Sequence, residues 1–156
     1  MLTADMKRTI REQRLGFVAT VNADGTPNVS PKATFVVIDD RSIAFGDLRS
    51  PGTIRNLKAR RGIEVNFVDP FVRKGYRFAG SGEIVERNTP AFAELVLAFA
   101  EYGDLASRMR AIVRISVSKA VAIISPAYDL GATEEELRRQ WTARFRKLQP
   151  KERFEE

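Results

Sequence analysis

Two short stretches carry the side chains with the clearest chemical use. The first is SIAFGDLRSPGTIRNL, from Ser42 to Leu57. An apolar run, Ile43-Ala44-Phe45, breaks at Gly46-Asp47. The chain then passes through Arg49-Ser50-Pro51-Gly52-Thr53 into a predicted helix that turns Ile54 and Leu57 inward. A strand that feeds a Ser/Gly/Thr turn and then a helix start can hold a phosphate. The N–H groups of the first helical turn are free, and the helix dipole favours an anion there. Arg49 and Arg55 can add charge-assisted hydrogen bonds. The same residues also read as a plain connection, with Ser50 as N-cap and Pro51 at the first helical position. The second stretch is Ser30-Pro31-Lys32 with Thr34. The period of two along a strand puts Ser30, Lys32 and Thr34 on one face. With that strand beside the first stretch, they stand next to Phe45 and Asp47. A hydroxyl, a lysine, a helix N-terminus and an arginine suffice for a phosphate cradle. Lys32 reads equally well as an outward lysine on an edge strand.

A third group, Arg73-Lys74-Gly75-Tyr76-Arg77, is basic and follows Asp69-Pro70. It can reach an anion or a second subunit, or it is a solvated hairpin tip. One tyrosine among these charges is a weak nucleic-acid signal, because stacking platforms present several aromatics on one sheet face. Trp141 and Phe145 sit at helical spacing and read as packing residues.

The whole chain narrows these choices. It has 156 residues, which fits one domain spanning 1–156 with a C-terminal helical extension over about 128–150. Cysteine and histidine are both absent. This removes disulfides, thiolate nucleophiles, the usual general base and the commonest metal ligands. No catalytic side chain and no metal site stands out. Chemistry near neutral pH then falls to a cofactor. The net charge of +6 permits an anionic ligand, nucleic acid or an anionic surface, and selects none of them. No apolar run approaches the ~20 residues that span a bilayer. The N-terminus shows no apolar segment behind its charges, so the sequence predicts a cytoplasmic protein.

The elements that must position these residues follow from the pattern. Met1–Arg14 reads as a short helix capped by Thr3. Leu15–Val21 reads as a strand with Phe17, Ala19 and Val21 on its apolar side. Asn22-Ala23-Asp24-Gly25 signals a hairpin, and Asn28–Ile38 is the return strand, with Pro31 marking an edge or bulge. With Ser42–Asp47 these make a meander. Ile63–Val68 alternates cleanly. Tyr76–Val85 is loosened by Gly80 and Gly82, as at a bulge or barrel corner. Thr89-Pro90 opens a helix with Phe92, Leu95, Val96 and Phe99 on one face. Arg110–Val117 and Ala120–Ile124 form the last strand region. Thr133 to Glu136 is a capping box before a final helix, and the charged tail from Pro150 is expected to fray. Short strands joined by hairpins favour an antiparallel sheet closing into a small barrel with helices at its ends.

Four pieces of this sequence resemble the flavin-binding split-barrel family related to pyridoxamine 5′-phosphate oxidase. They are LGFVATVNADGTPNVSPK (15–32), IAFGDLRSPGTIRNL (43–57), VNFVDPFVRKGYRFAGSGEI (65–84) and YDLGATEEELRRQW (128–141). The resemblance implies a mainly β fold, a six-stranded antiparallel split barrel. It implies a homodimer with FMN at the subunit interface and no nucleic-acid or membrane partner. Ser30, Lys32, Ser50 and Arg55 match the family's phosphate contacts, with Thr53 in the same turn. Backbone groups around Ala33-Thr34 and Phe45-Gly46-Asp47 would line the flavin ring. Lys74, Tyr76 and Arg77 would approach from the other subunit. Many members carry a lysine where this chain has Gly52 or Thr53. The oxidase's C-terminal substrate arginines and histidine have no match, so its own reaction is not implied.

The reading is therefore an FMN-dependent oxidoreductase of unassigned substrate or electron donor. Its alternatives are a non-catalytic flavin-binding protein for storage or sensing, and a deazaflavin-dependent reductase on the same fold. Heme is disfavoured because no histidine is available as an axial ligand.

Overall fold

The computed structural model describes residues 1–149; the tail from Pro150, expected to fray, lies outside the described residues. Seven antiparallel strands form one curled sheet. They are β1 (Gly16–Val21), β2 (Pro27–Lys32), β3 (Phe35–Val37), β4 (Ser42–Asp47), β5 (Gly62–Asp69), β6 (Lys74–Glu86) and β7 (Ala111–Ile124). Their order across the sheet is β2-β1-β5-β6-β7-β4-β3. The split barrel expected from the sequence is the architecture. The count rises from six to seven because the predicted return strand is divided at Ala33-Thr34 into β2 and β3.

That division corrects the meander. β2 pairs with β1 alone and ends one edge of the sheet, while β3 pairs with β4 and ends the other. The Ser30–Lys32 half of the predicted return strand is thus not hydrogen-bonded to β4, while its Phe35–Val37 half is. Pro31 has no N–H to offer a further neighbour, which suits β2 to an edge. β4 is buried along its whole length and takes a partner on each side, β3 and β7.

The barrel interior is filled by alternate residues. On β5, Ile63, Val65 and Phe67 point inward as the alternation predicts. Phe67 packs edge-on against Phe35 and Phe78, with centroids 4.8 and 6.1 Å away. Such pairs add about 0.5–1.5 kcal/mol beyond area burial. On β1 the sequence reading is reversed. Val18 and Thr20 face inward, whereas Phe17 stays 48% and Val21 42% exposed. Gly16 shows why: a Cβ there would lie 2.5 Å from the Phe35 ring, so this face is the crowded one. The long strands β6 and β7 slip register between Ala79 and Gly80, where the glycines suggested a bulge. A Cβ on Gly80 would stand 2.1 Å from the Ser116 carbonyl oxygen.

Helices close the ends and one outer face. α1 (Ala4–Gln13) is capped by the Thr3 hydroxyl, which accepts from the Met6 N–H, and it buries Ile10 completely. α2 (Pro51–Ala59) follows β4. α3 (Pro90–Leu95) continues as a 3₁₀ helix (Val96–Tyr102). Phe92 and Phe99 pack with Val36, Ala44 and Ile112 on the sheet's outer face, while Leu95 and Val96 are only partly covered. A short α4 (Asp104–Ser107) leads into β7. α5 (Glu134–Leu148) begins at the predicted capping box: Thr133 accepts from the Glu136 N–H, and Glu136 accepts from the Thr133 N–H. Phe145 packs on Phe71, and the Arg73 guanidinium lies 4.2 Å from the Trp141 ring centre.

Candidate functional site

The start of α2 rests on the inner face of β1 and β2. Helical spacing turns Thr53 and Asn56 to the same side, and both are buried. Asn56 Nδ2 donates to Thr20 Oγ1 at 3.1 Å and to Asn22 Oδ1 at 2.9 Å. Asn28 Nδ2 also donates to Thr20 Oγ1, at 3.1 Å. This amide–hydroxyl network seats the helix on the hairpin. The sequence reading missed Thr20, Asn28 and Asn56; the signal was an asparagine three residues after Thr53 on one helix face.

So seated, the helix brings its first turn to β2. Ser30 Oγ lies 3.3 Å from Thr53 Oγ1, and Lys32 Nζ donates to Ser30 Oγ at 2.6 Å. An ammonium has three donors, and this bond uses one. Among the described residues no carboxylate oxygen comes within 4 Å of Lys32 Nζ, although eleven such ion pairs form elsewhere. Burial pulls the Lys32 amine below the ordinary lysine value, and the charge of Asp47 partly opposes this.

Ser50 is buried at the helix N-cap, but its hydroxyl makes no capping hydrogen bond. The side-chain cap considered from sequence is therefore not formed, while Pro51 does occupy the first turn as expected. The first-turn N–H groups are left without a side-chain acceptor from Ser50, which suits an anion.

Thr34 fastens the two halves of the site. Its hydroxyl donates to the Gly46 carbonyl at 3.0 Å and accepts the Gly46 N–H at 3.2 Å. This clasp sets Lys32–Thr34 alongside Gly46–Asp47, with Ala33 exposed between. The Phe45 side chain is committed to the core, and its backbone lies between β3 and β7. Asp47 is buried. Its Oδ2 lies 3.3 Å from Arg110 Nη2, and its Oδ1 is enclosed without a hydrogen-bond partner. Arg110 was missed because its approach depends on the pairing of β4 with β7, which nothing local reveals.

Arg55 turns the other way. It is exposed and lines a cavity of about 400 Å³ with Asp47, Ile54, Lys58, Glu86 and Arg110. Two residues along a helix rotate a side chain by about 200°, so Thr53 and Arg55 cannot serve the same face.

The structure does not join Lys74, Tyr76 and Arg77 to this group within one chain. Lys74 Nζ pairs with Glu134 Oε2 at 3.2 Å and lies 4.4 Å from the Tyr128 ring centre. The Tyr76 hydroxyl donates to Asp5 Oδ2 at 2.5 Å, which lowers the Asp5 carboxyl and raises the tyrosine. Arg77 faces Glu64 at 3.8 Å. Lys74 and Tyr76 line a separate cavity of about 350 Å³ with Asp5, Arg8, Glu134 and Arg138.

The Ser30–Lys32–Thr53 group at the head of α2 can hold a phosphate. Among the described residues no cluster of three acidic or other metal-ligating side chains forms. Comparison with known proteins identifies the family and the fold. The family model described as pyridoxamine 5′-phosphate oxidase matches residues 2–126. HupZ from Group A Streptococcus is 31% identical, covering 80% of this chain and 96% of that one, with a TM-score of 0.67. An FMN-binding protein from Syntrophomonas wolfei subsp. wolfei is 12% identical over 80% of this chain and 87% of that one, with a TM-score of 0.67. An F420 reductase is 20% identical over 76% and 98%, with a TM-score of 0.58. The last two show the fold alone. No curated protein sequence matches the chain.

Proposed function

The chain belongs to the pyridoxamine 5′-phosphate oxidase family of split barrels, and from that premise we propose that it binds FMN and acts as a flavin-dependent oxidoreductase. The observation that carries the reading is Lys32. A half-buried ammonium with no carboxylate within 4 Å among the described residues, beside two hydroxyls and a helix start that Ser50 leaves uncapped, is suited to a phosphate monoester. Lys32, Ser30, Thr53 and the first N–H groups of α2 hold the phosphate, and buried Ser50 lies at the same turn. Backbone groups at Ala33-Thr34 and Phe45-Gly46-Asp47 border the ring. FMN, when bound, supplies hydride acceptance or donation. The protein contributes position, charge and exclusion of water.

The site is completed by a second copy of the chain. Supporting this, β1, β2, β5 and the end of β7 leave Phe17, Val21, Val29, Val68 and Ile124 between 38% and 60% exposed. Leu15, Phe17, Val68 and Ile124 also line a common cavity of about 570 Å³. A second copy of the chain is the cover proposed for this strip.

A non-catalytic flavin carrier is the second reading. It is favoured by the absence of histidine and cysteine and by the pairing of Asp47 with Arg110. A deazaflavin cofactor is the remaining alternative, resting on the shared fold of the F420 reductase. Titration of the purified protein with FMN separates these readings. Saturable quenching of flavin fluorescence, followed by anaerobic bleaching with NADPH or NADH, is the expected result. Bound flavin that these donors do not reduce supports the carrier, and absence of binding overturns the FMN reading. Light scattering should give twice the 17.5 kDa chain mass, and a monomer would remove the proposed second copy.

A further inference from the structure

The tip of the β5–β6 hairpin and the final helix have no part in the phosphate cradle, yet they are built against each other. The turn is fixed from within. Asp69 Oδ1 accepts the Phe71 N–H at 2.8 Å and the Val72 N–H at 3.3 Å, and the Arg73 N–H donates to the Asp69 carbonyl at 2.8 Å. Arg73 has φ +59, a left-handed backbone that residues with a side chain rarely take and glycine takes freely. The arginine in this place sets its guanidinium 4.2 Å from the centre of the Trp141 ring, and Phe71 meets Phe145 at 5.3 Å. Two ion pairs fasten the start of the helix, Lys74 to Glu134 at 3.2 Å and Arg138 to Asp69 at 3.5 Å.

This hold is confined to side-chain tips. Among the described residues α5 buries only Leu137, which belongs to neither of the two core clusters, whereas α1 buries Ile10 within the barrel core. Glu134 and Arg138 are exposed, where salt screens their attraction to Lys74 and Asp69. The segment before the helix is held separately. The Tyr128 hydroxyl donates to the Val72 carbonyl at 2.6 Å, and the Ser125 N–H to the Arg73 carbonyl at 3.0 Å. Between that anchor and the Thr133 cap stands Gly131, exposed, at φ +89, where an added Cβ would meet nothing within 4 Å. A glycine free of neighbours, between a fixed turn and a capped helix, can serve as a hinge.

We propose that α5 is a hinged strap over the cavity of about 350 Å³ beside Lys74 and Tyr76, turning about Gly131 as one piece and latched by Arg73 on Trp141 and Phe71 on Phe145. Glu134 and Arg138 are the strap's share of that cavity's wall. When the strap lifts, it carries both away and leaves the Lys74 ammonium without its carboxylate. The barrel keeps its core, because α5 supplies no residue to it. The inference does not rest on the FMN reading. The capping box and the helical hydrogen bonds keep α5 whole, so contacts at its two ends are coupled, and the coupling is reciprocal. Glu134 and Phe145 stand about 16 Å apart along the axis at the helical rise. Contacts that act independently have no reason to affect each other over that distance.

The test uses the full chain at low ionic strength and reads both ends of the helix. Trp141 is the only tryptophan in the sequence, so acrylamide quenching of its fluorescence reports the latch. Limited acetylation with peptide mass mapping reports Lys74. Phe145→Ala alters a ring that meets Phe71 and Trp141, and it should speed acetylation of Lys74 at least about twofold. Glu134→Gln alters a side chain that meets Lys74 and Arg138, and it should raise the quenching of Trp141 by a similar factor. Sodium chloride at ~1 M should raise both in the wild type. Neither substituted residue is among those lining the apolar strip proposed for a second copy. Circular dichroism melting should leave the barrel transition of both variants in place. If Phe145→Ala does not fold, Glu134→Gln alone decides, and unchanged quenching overturns the proposal. Folded variants in which each change stays at its own end also overturn it. FMN titration of the same proteins is the separate arm. Effects carried across the helix in a protein that binds no FMN would keep the strap and remove the cofactor reading.

Discussion

Two basic groups of similar appearance in the sequence end in opposite electrostatic states. The hairpin group is neutralised within its own chain: Lys74 by Glu134, Arg77 by Glu64, with Tyr76 bonded to Asp5 and Arg73 over Trp141. Lys32 is half-buried, keeps a serine as its hydrogen-bond partner and meets no carboxylate within 4 Å among the described residues. Exposed, paired charges contribute little and attract little. A desolvated cation beside free N–H groups gains from an anion what it lost on burial. What separates a site from a solvated surface here is therefore the partner set of each charge, and not the density of charge along the chain.

The largest expected difference is in cofactor affinity. Lys32→Ala should weaken FMN binding at least about tenfold, from a charge-assisted bond of roughly 1.5–3 kcal/mol. Lys74→Ala should change it by less than about threefold, because its partner Glu134 is exposed. Fluorescence titration of the two variants side by side measures this. An equal loss in both would show that the hairpin of a second copy belongs to the site, and the contrast would fail. The pH profile sharpens the same point. FMN affinity should fall as pH rises, beginning below the ordinary lysine range, because the folded Lys32 releases its proton early. Lys32→Ala should remove that limb.

Backbone packing gives a second contrast, of intermediate size. A Cβ on Gly75 would stand 1.9 Å from the Phe67 carbonyl oxygen, which is backbone and cannot move aside. Gly75→Ala should cost about 1–3 kcal/mol or more, seen as a lower thermal midpoint. At Gly52, in the turn of the cradle, the nearest atom to an added Cβ is Asn28 Oδ1 at 3.5 Å, an ordinary contact. Gly52→Ala should stay within about 1 kcal/mol of the wild type. A large loss there would mean that the first turn of α2 is tighter than described.

The smallest effect belongs to Tyr76→Phe. It removes one hydrogen bond to an exposed carboxylate and should cost less than about 1 kcal/mol. The folded Asp5 carboxyl lies below its unfolded value, so its contribution is present above the unfolded value and lost as pH falls through the folded one. The variant should therefore lose slightly less stability on acidification than the wild type. An unchanged acid limb would show that Arg8 alone sets the Asp5 carboxyl.

Local signals in the sequence reached as far as local physics extends. The alternation of Ile63, Val65 and Phe67, the capping box at Thr133, the edge at Pro31 and the bulge at Gly80 each follow from a few neighbouring residues. The facing of β1 did not. Phe17 and Val21 carry the larger apolar surface, but the crowding of Gly16 against Phe35 is set by residues far along the chain. The gathering of Ser30 and Lys32 with the turn at Ser50–Thr53 was legible, although its stated cause, pairing of adjacent strands, was not the one at work. α2 lies across the β1–β2 hairpin through Asn56 and Thr20. The direction of Arg55 could have been read from helical period alone. The Asp47–Arg110 pair could not, because it depends on strands that meet only in the folded sheet.

The most direct measurement of the phosphate cradle compares FMN with riboflavin, which carries the same ring and lacks the phosphate. Fluorescence titration of the wild-type protein should show FMN binding at least about tenfold tighter, the worth of one charge-assisted contact to phosphate. Equal affinity for both ligands, or no binding of either, would contradict the assignment of Lys32, Ser30, Thr53 and the head of α2 as a phosphate site.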